Sequence, residues 1–224
     1  MDNLKYIDRF FESSFELMDV TCAHKRNGRT LYTFLNSLHS LNDRLKQDFD
    51  TDLMSYPEFK ILKHLRNYYH HQGDIDEIRV VFNHENMLLS HNEMIIIPIH
   101  IVAKALRAFM SGKSQPWKLE EKNSLITYCQ DLSFVFDNLD GFANDPQILH
   151  KGELYSGGFD LYTSIYNLTN IIASLCRDIP ELCNREVILG LGDTYDEENN
   201  IGKYNLTVPL GTRPLLTTKG FIFL

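Results

Sequence analysis

The sequence predicts a mainly α fold with a small β-hairpin insert and an extended or β-like C-terminal tail, on three observations. Apolar residues recur at three- and four-residue spacing over six long stretches. Between residues 77 and 97 that period gives way to short apolar runs divided by turn residues. Beyond residue 184, Gly, Pro and Thr alternate with short runs such as TVPL, PLL and FIFL. A chain of 224 residues, 43% of them hydrophobic, suits one large domain or one domain with an appendage. The expected division is a helical domain over 1–184, carrying the β insert around 77–97, and a tail over 185–224 packed on that domain.

The first stretch places Leu4, Ile7, Phe11, Phe15 and Met18 on one helical face. Asn27-Gly28 then reads as a turn. Arg29–Phe49 repeats leucine at 31, 35, 38, 41 and 45, predicting a second helix. Asp50-Thr51-Asp52 supplies capping residues for a third, with Tyr56-Pro57 either in its first turn or at its start. That helix is expected to run to about His71 and to stop at Gly73. Extended runs follow over 77–97, and IHIVAKALRAFM returns to helical spacing up to Ser111-Gly112. A fifth helix is expected over Trp117–Leu139, a long loop over Asp140–Gly158, and a strongly periodic helix over Phe159–Cys183 through Leu161, Ile165, Leu168, Ile172 and Leu175. Val187–Leu224 reads as strands or an extended arm.

Charge narrows the function classes. Asp and Glu outnumber Lys and Arg by 30 to 22, a formal net charge of -8, which argues against a broad basic coat for nucleic acid. A small basic site on an acidic body stays compatible. The most apolar stretch, Met94–Ile101, is broken by Pro98 and His100 and is far shorter than the roughly 20 residues of a bilayer span. The N-terminus lacks a basic segment followed by an apolar run, so no signal peptide is read and the expected location is cytoplasmic. The four cysteines (22, 129, 176, 183) form no C-x-x-C and are expected as free buried thiols. His84-Glu85 lacks the second histidine of H-E-x-x-H, and His84, His91 and His100 are too loosely spaced for a metal site. Gly190-Leu191-Gly192-Asp193 lacks the third glycine of a dinucleotide loop, and residues 193–198 read as a solvated acidic turn. Trp117 and the tyrosines are read as core rather than as base-stacking platforms. No metal or other cofactor is expected.

The third helix carries the chemistry. On a wheel with Arg66 at zero, Ile61, Leu62, Leu65, Tyr68 and Tyr69 fall between roughly 200° and 320°. Lys63, His64, Arg66, Asn67, His70 and His71 fall between roughly 0° and 160°. A polar helix face is most often solvated surface, and cations near a helix C-terminus suit the dipole. This face has more specific content. Histidine titrates near neutral pH and moves protons. Arginine grips a phosphate bidentately and stabilises developing negative charge. Asparagine adds an orienting hydrogen bond. These are the groups that phosphodiester cleavage without a metal requires.

The spacing Arg66-Asn67-x-x-x-His71 resembles the R-N-x-x-x-H form of the R-x4-6-H motif of the HEPN superfamily. The resemblance covers the motif and, more loosely, the helical first half of the chain; it does not extend to residues 112–224. HEPN proteins are α-helical bundles, many of them metal-independent endoribonucleases of toxin–antitoxin and phage-defence systems. The resemblance implies a HEPN-like bundle in which His71 activates the ribose 2′-OH or protonates the leaving oxygen. It implies further that Arg66 binds the scissile phosphate and that Asn67 positions one of them. A homodimer facing two motifs across one composite site is implied as well, with RNA (transfer RNA among the candidates) as substrate and an antitoxin or defence-system component as partner. His70, Lys63 and His64 lie outside the family pattern and are given auxiliary RNA- or phosphate-binding roles. Gln72-Gly73-Asp74 follows the motif, so the tyrosine nucleotidylated in some members has no counterpart.

Two other classes compete. A non-catalytic helical module that dimerises or binds RNA or protein needs no complete Arg66/Asn67/His71 set. A nucleotide-sensing pocket built from residues 112–224 has no specific ligand signature. If the chain is a ribonuclease, its positive potential should be confined to the surroundings of Arg66 and His71.

Overall fold

The computed structural model describes residues 4–73, 75, 77–81, 93–111, 115–133, 139–202 and 214–223. It is mainly helical with small antiparallel sheets, and among the described residues no helix is long and apolar enough to cross a membrane. The chain divides into two compact units, one of Met1–Arg66 with Ser164–Asn200, the other of Asn67–Thr163 with Ile201–Leu224. Two helices run through the division, α3 (Pro57–Gln72) after Arg66 and α7 (Tyr162–Asp178) after Thr163.

The first unit is helical. α1 (Lys5–Met18) buries Ile7, Phe10, Phe11 and Leu17, and α2 (Thr30–Phe49) buries Phe34, Leu35, Leu38, Leu41 and Leu45. Phe10 meets Phe34 at 5.8 Å between ring centroids and Phe11 edge-on at 5.1 Å. Full burial of each such side chain is worth about 1.5–3 kcal/mol, so the leucine and phenylalanine stripes account for these two helices. Asp50 ends α2 in the left-handed region (φ 52°), and Asp52 caps a short 3-10 turn, Leu53–Ser55, through Met54 N at 3.0 Å. Of the acidic residues expected to cap α3, Asp50 therefore closes α2 and Asp52 caps the turn between, and α3 begins at Pro57, whose missing N–H costs nothing there. Ser14 and Thr169 hydroxyls share a buried hydrogen bond of 3.0 Å, joining α1 to α7. α8 (Glu186–Gly190) follows, held by Arg185, whose guanidinium donates to Asp8 Oδ2 at 2.6 Å. The expectation of strands or an extended arm thus fails over 186–200, which also includes a 3-10 turn at Glu197–Asn199 capped by Asp196.

The second unit is built on β2 (Glu93–Pro98), which pairs antiparallel with β1 (Ile78–Val81) and with β5 (Gly158–Asp160). Met94, Ile95, Ile96 and Ile97 are all buried, so both faces of this strand are covered. Its period is lost for that reason, and the sequence shows an unbroken apolar run. α4 (Ile99–Met110) leaves directly from β2, and α5 (Pro116–Ser133) and a short α6 (Leu139–Phe142) follow. Of the helix expected over 117–139, the stretch to Ser133 is helical, and residues 134–138 lie outside the described residues.

The end of α6 and two strands replace much of the loop expected over 140–158. β3 (Gln147–His150) and β4 (Glu153–Ser156) form a hairpin around Lys151-Gly152, both at positive φ (48° and 84°). Such a pair matches the primed turn of a two-residue hairpin. The strongly periodic helix begins later than expected, at Tyr162, because Phe159 belongs to β5 and Asp160 Oδ1 accepts from both Ile95 N (3.0 Å) and Tyr162 N (2.9 Å). It ends at Asp178, two residues before Pro180, whose ring disfavours helical backbone in the preceding residue. β6 (Pro214–Thr217) and β7 (Gly220–Phe223) make the C-terminal hairpin, and Leu216 joins Met94 and Ile96 in one buried cluster. The run TVPL and the pair His84 and His91 lie outside the described residues.

Candidate functional site

α3 forms because Phe59, Ile61, Leu62, Leu65 and Tyr69 are buried along it. It stops because Gly73, at φ 109°, takes a backbone conformation that L side chains rarely adopt. The histidines expected as an exposed set do not share one environment. His70 and His71 are exposed in the last turn, their rings in an edge-on contact of 5.0 Å between centroids. Neither has a hydrogen bond or ion pair among the described residues.

His64 corrects the expectation. It is only 7% exposed and belongs to the buried side of the helix, so it is not available as an auxiliary RNA contact. Its wheel position, roughly 160°, lies beside the apolar stripe that begins with Tyr68, and the buried sector spreads over it. Phe59 shows the same effect at the other edge: it is buried although its angle of roughly 20° lies next to Arg66.

The remaining residues are half-buried and anchored. Arg66 Nε donates to Asn36 Oδ1 of α2 at 3.3 Å, so the guanidinium is held at a fixed point rather than extended into water. Lys63 Nζ lies 3.2 Å from Met54 Sδ, which keeps its ammonium near the start of the helix. Asn67 is half-buried, one position after Arg66. Along one helix the order is therefore an anchored arginine, an asparagine one residue on, and two exposed histidines one turn further.

Asn36 is the residue that sequence reading missed. It sits in a leucine-rich helix with no motif, and nothing local marks it; only the pairing of α2 with α3 gives it a role. Trp117, expected in the core, is 54% exposed at the start of α5 and packs against Phe109 at 6.0 Å between centroids. Among the described residues, no three His, Cys, Asp or Glu side chains are grouped to hold a metal ion. His100, weighed as a loose metal ligand, instead places Nδ1 3.1 Å from Asp145 Oδ1. The chain matches no protein-family model, no curated protein and no solved structure.

Proposed function

We propose that the chain is a metal-independent endoribonuclease of the HEPN kind, acting in the cytoplasm as a toxin or phage-defence effector. The observation that carries this reading is the placement of His70 and His71, open to solvent one helical turn from an arginine anchored by Asn36. A histidine that exchanges protons with a substrate must be accessible, whereas an arginine that stabilises a developing charge works best when preorganised.

In the proposed reaction the ribose 2′-oxygen attacks the adjacent phosphorus, a 2′-O–P bond forms and the P–O5′ bond breaks. His71 takes the 2′-OH proton, and a second imidazolium gives a proton to the departing O5′. The natural source of that second histidine is a second copy of the chain, which is why a homodimer with a composite site belongs to the proposal. Arg66 donates to the non-bridging oxygens as charge accumulates, and Asn67 orients the phosphate or His71.

The test is incubation of the purified protein with total RNA in EDTA, beside Arg66→Ala and His71→Ala. Wild type should fragment the RNA, and each variant should lose at least about 100-fold in rate. Cleavage that persists in both variants, or that requires a divalent metal, removes the mechanism. A non-catalytic dimerisation or RNA-binding module would bind the RNA and leave it intact.

A further inference from the structure

A small hollow opens between α1 and α2, lined by Tyr6, Arg9, Asn36, Ser37 and Ser40, with a volume of about 200 Å³. We propose that it is an anion site that holds a phosphate of the RNA strand, next to the phosphate at Arg66. An arginine can only donate, so Asn36 must turn Oδ1 toward Arg66 Nε, which leaves its Nδ2 hydrogens as donors. Among the described residues, Arg9, Ser37 and Ser40 make no hydrogen bond or ion pair, and Asn36 makes none besides that to Arg66.

Tyr6 is accounted for differently. Its hydroxyl donates to Asp48 Oδ2 at 3.2 Å, and burial first, then Asp48, push its pKa above the ordinary tyrosine range. It stays protonated and keeps that carboxylate engaged. The lining thus offers a guanidinium, an amide N–H pair and two hydroxyls, with no carboxylate among the lining residues. A lining of donors with one permanent positive charge suits a phosphate better than a neutral or cationic ligand. Asn36 links the two places physically, since it both accepts from Arg66 Nε and lines the hollow.

That the ligand is RNA rests on the ribonuclease reading; the preference for phosphate does not. The test therefore has two arms on the full chain. In the first, inorganic phosphate is titrated against a chloride control while backbone amide resonances are followed by NMR. Shifts should concentrate at residues 9, 36, 37 and 40, vanish in Arg9→Ala and weaken in Ser40→Ala. Absence of shifts at these residues, or shifts unchanged in both variants, overturns the site. In the second arm, single-stranded RNA is cleaved over a series of salt concentrations. Arg9→Ala should raise KM about fivefold and reduce the slope of log affinity against log salt by about 0.7, the loss of one phosphate contact on a single strand. Cleavage with KM and slope unchanged from wild type sinks the site while the ribonuclease reading stands. Phosphate shifts at the hollow in a protein that leaves RNA intact give the reverse result.

Discussion

Arg66 is fixed by a side chain from another helix, and that contact shapes what each polar residue of α3 is able to do. Asn36 gives the guanidinium a neutral acceptor that orients its Nε–H. His71 differs in kind, because it is exposed and has no hydrogen bond or ion pair among the described residues. The motif itself was legible in the sequence, being local in spacing. The burial of His64 was not, because a residue at the margin of a wheel is assigned to a face by what packs there. The cysteines sort by the same rule. All four are free, yet only Cys129 and Cys176 are buried, and burial pushes both thiols up to about 12. Cys22 and Cys183 are partly exposed. Titration with a thiol reagent near pH 8 should therefore modify two thiols per native chain within minutes and the other two only on unfolding. Rapid reaction of four would contradict this packing.

At the scale of elements, the long helices were legible because leucine and phenylalanine recur at the helical period and the recurrence is buried. The hairpin of β3 and β4 was hidden for two physical reasons. Its turn is Lys151-Gly152 rather than Asn-Gly or Asp-Gly, and its cross-strand pair Leu149 and Leu154 is 70% and 59% exposed, so no buried face imprints an alternation. Gly158 shows a different constraint. A Cβ there would lie 2.7 Å from the Thr217 carbonyl oxygen and 2.8 Å from Ile96 Cγ2, contacts that backbone and core cannot relieve cheaply. Gly158→Ala should cost about 2–3 kcal/mol and lower Tm by roughly 5–10 °C. Gly190→Ala, where a Cβ meets nothing within 4 Å, serves as the control and should leave Tm almost unchanged. Equal melting of the two variants in a calorimeter would refute the close approach of β5 to Thr217.

At the scale of the whole molecule, paired carboxylates tie stability to pH. Asp52 is held below the usual carboxylate range, first by the hydrogen bond from Lys46 Nζ at 2.7 Å, and Lys46 is raised by the same contact. A depressed carboxylate contributes stability above its unfolded value near pH 3.9 and loses it as pH falls through the folded value. The raised lysine contributes below its unfolded value, about 10.4, and loses that contribution as pH rises through the folded one. The pair lies near the surface, so Asp52→Asn should lower Tm at pH 7 by only about two degrees. The drop between pH 4 and pH 2 should shrink correspondingly, as thermal scans of both proteins would show; an undiminished acid limb would contradict the assignment. Net charge is -8, so the proposed ribonuclease would have to hold RNA through few contacts, those proposed for α3 and for the hollow lined by Asn36. The chemistry proposed at His71 is read from the ends of the RNA products. Digestion of a defined single-stranded RNA in EDTA should yield 2′,3′-cyclic phosphate and 5′-hydroxyl ends, all of them lost in His71→Ala. Intact RNA with the wild-type protein, or 3′-hydroxyl and 5′-phosphate ends, would contradict it.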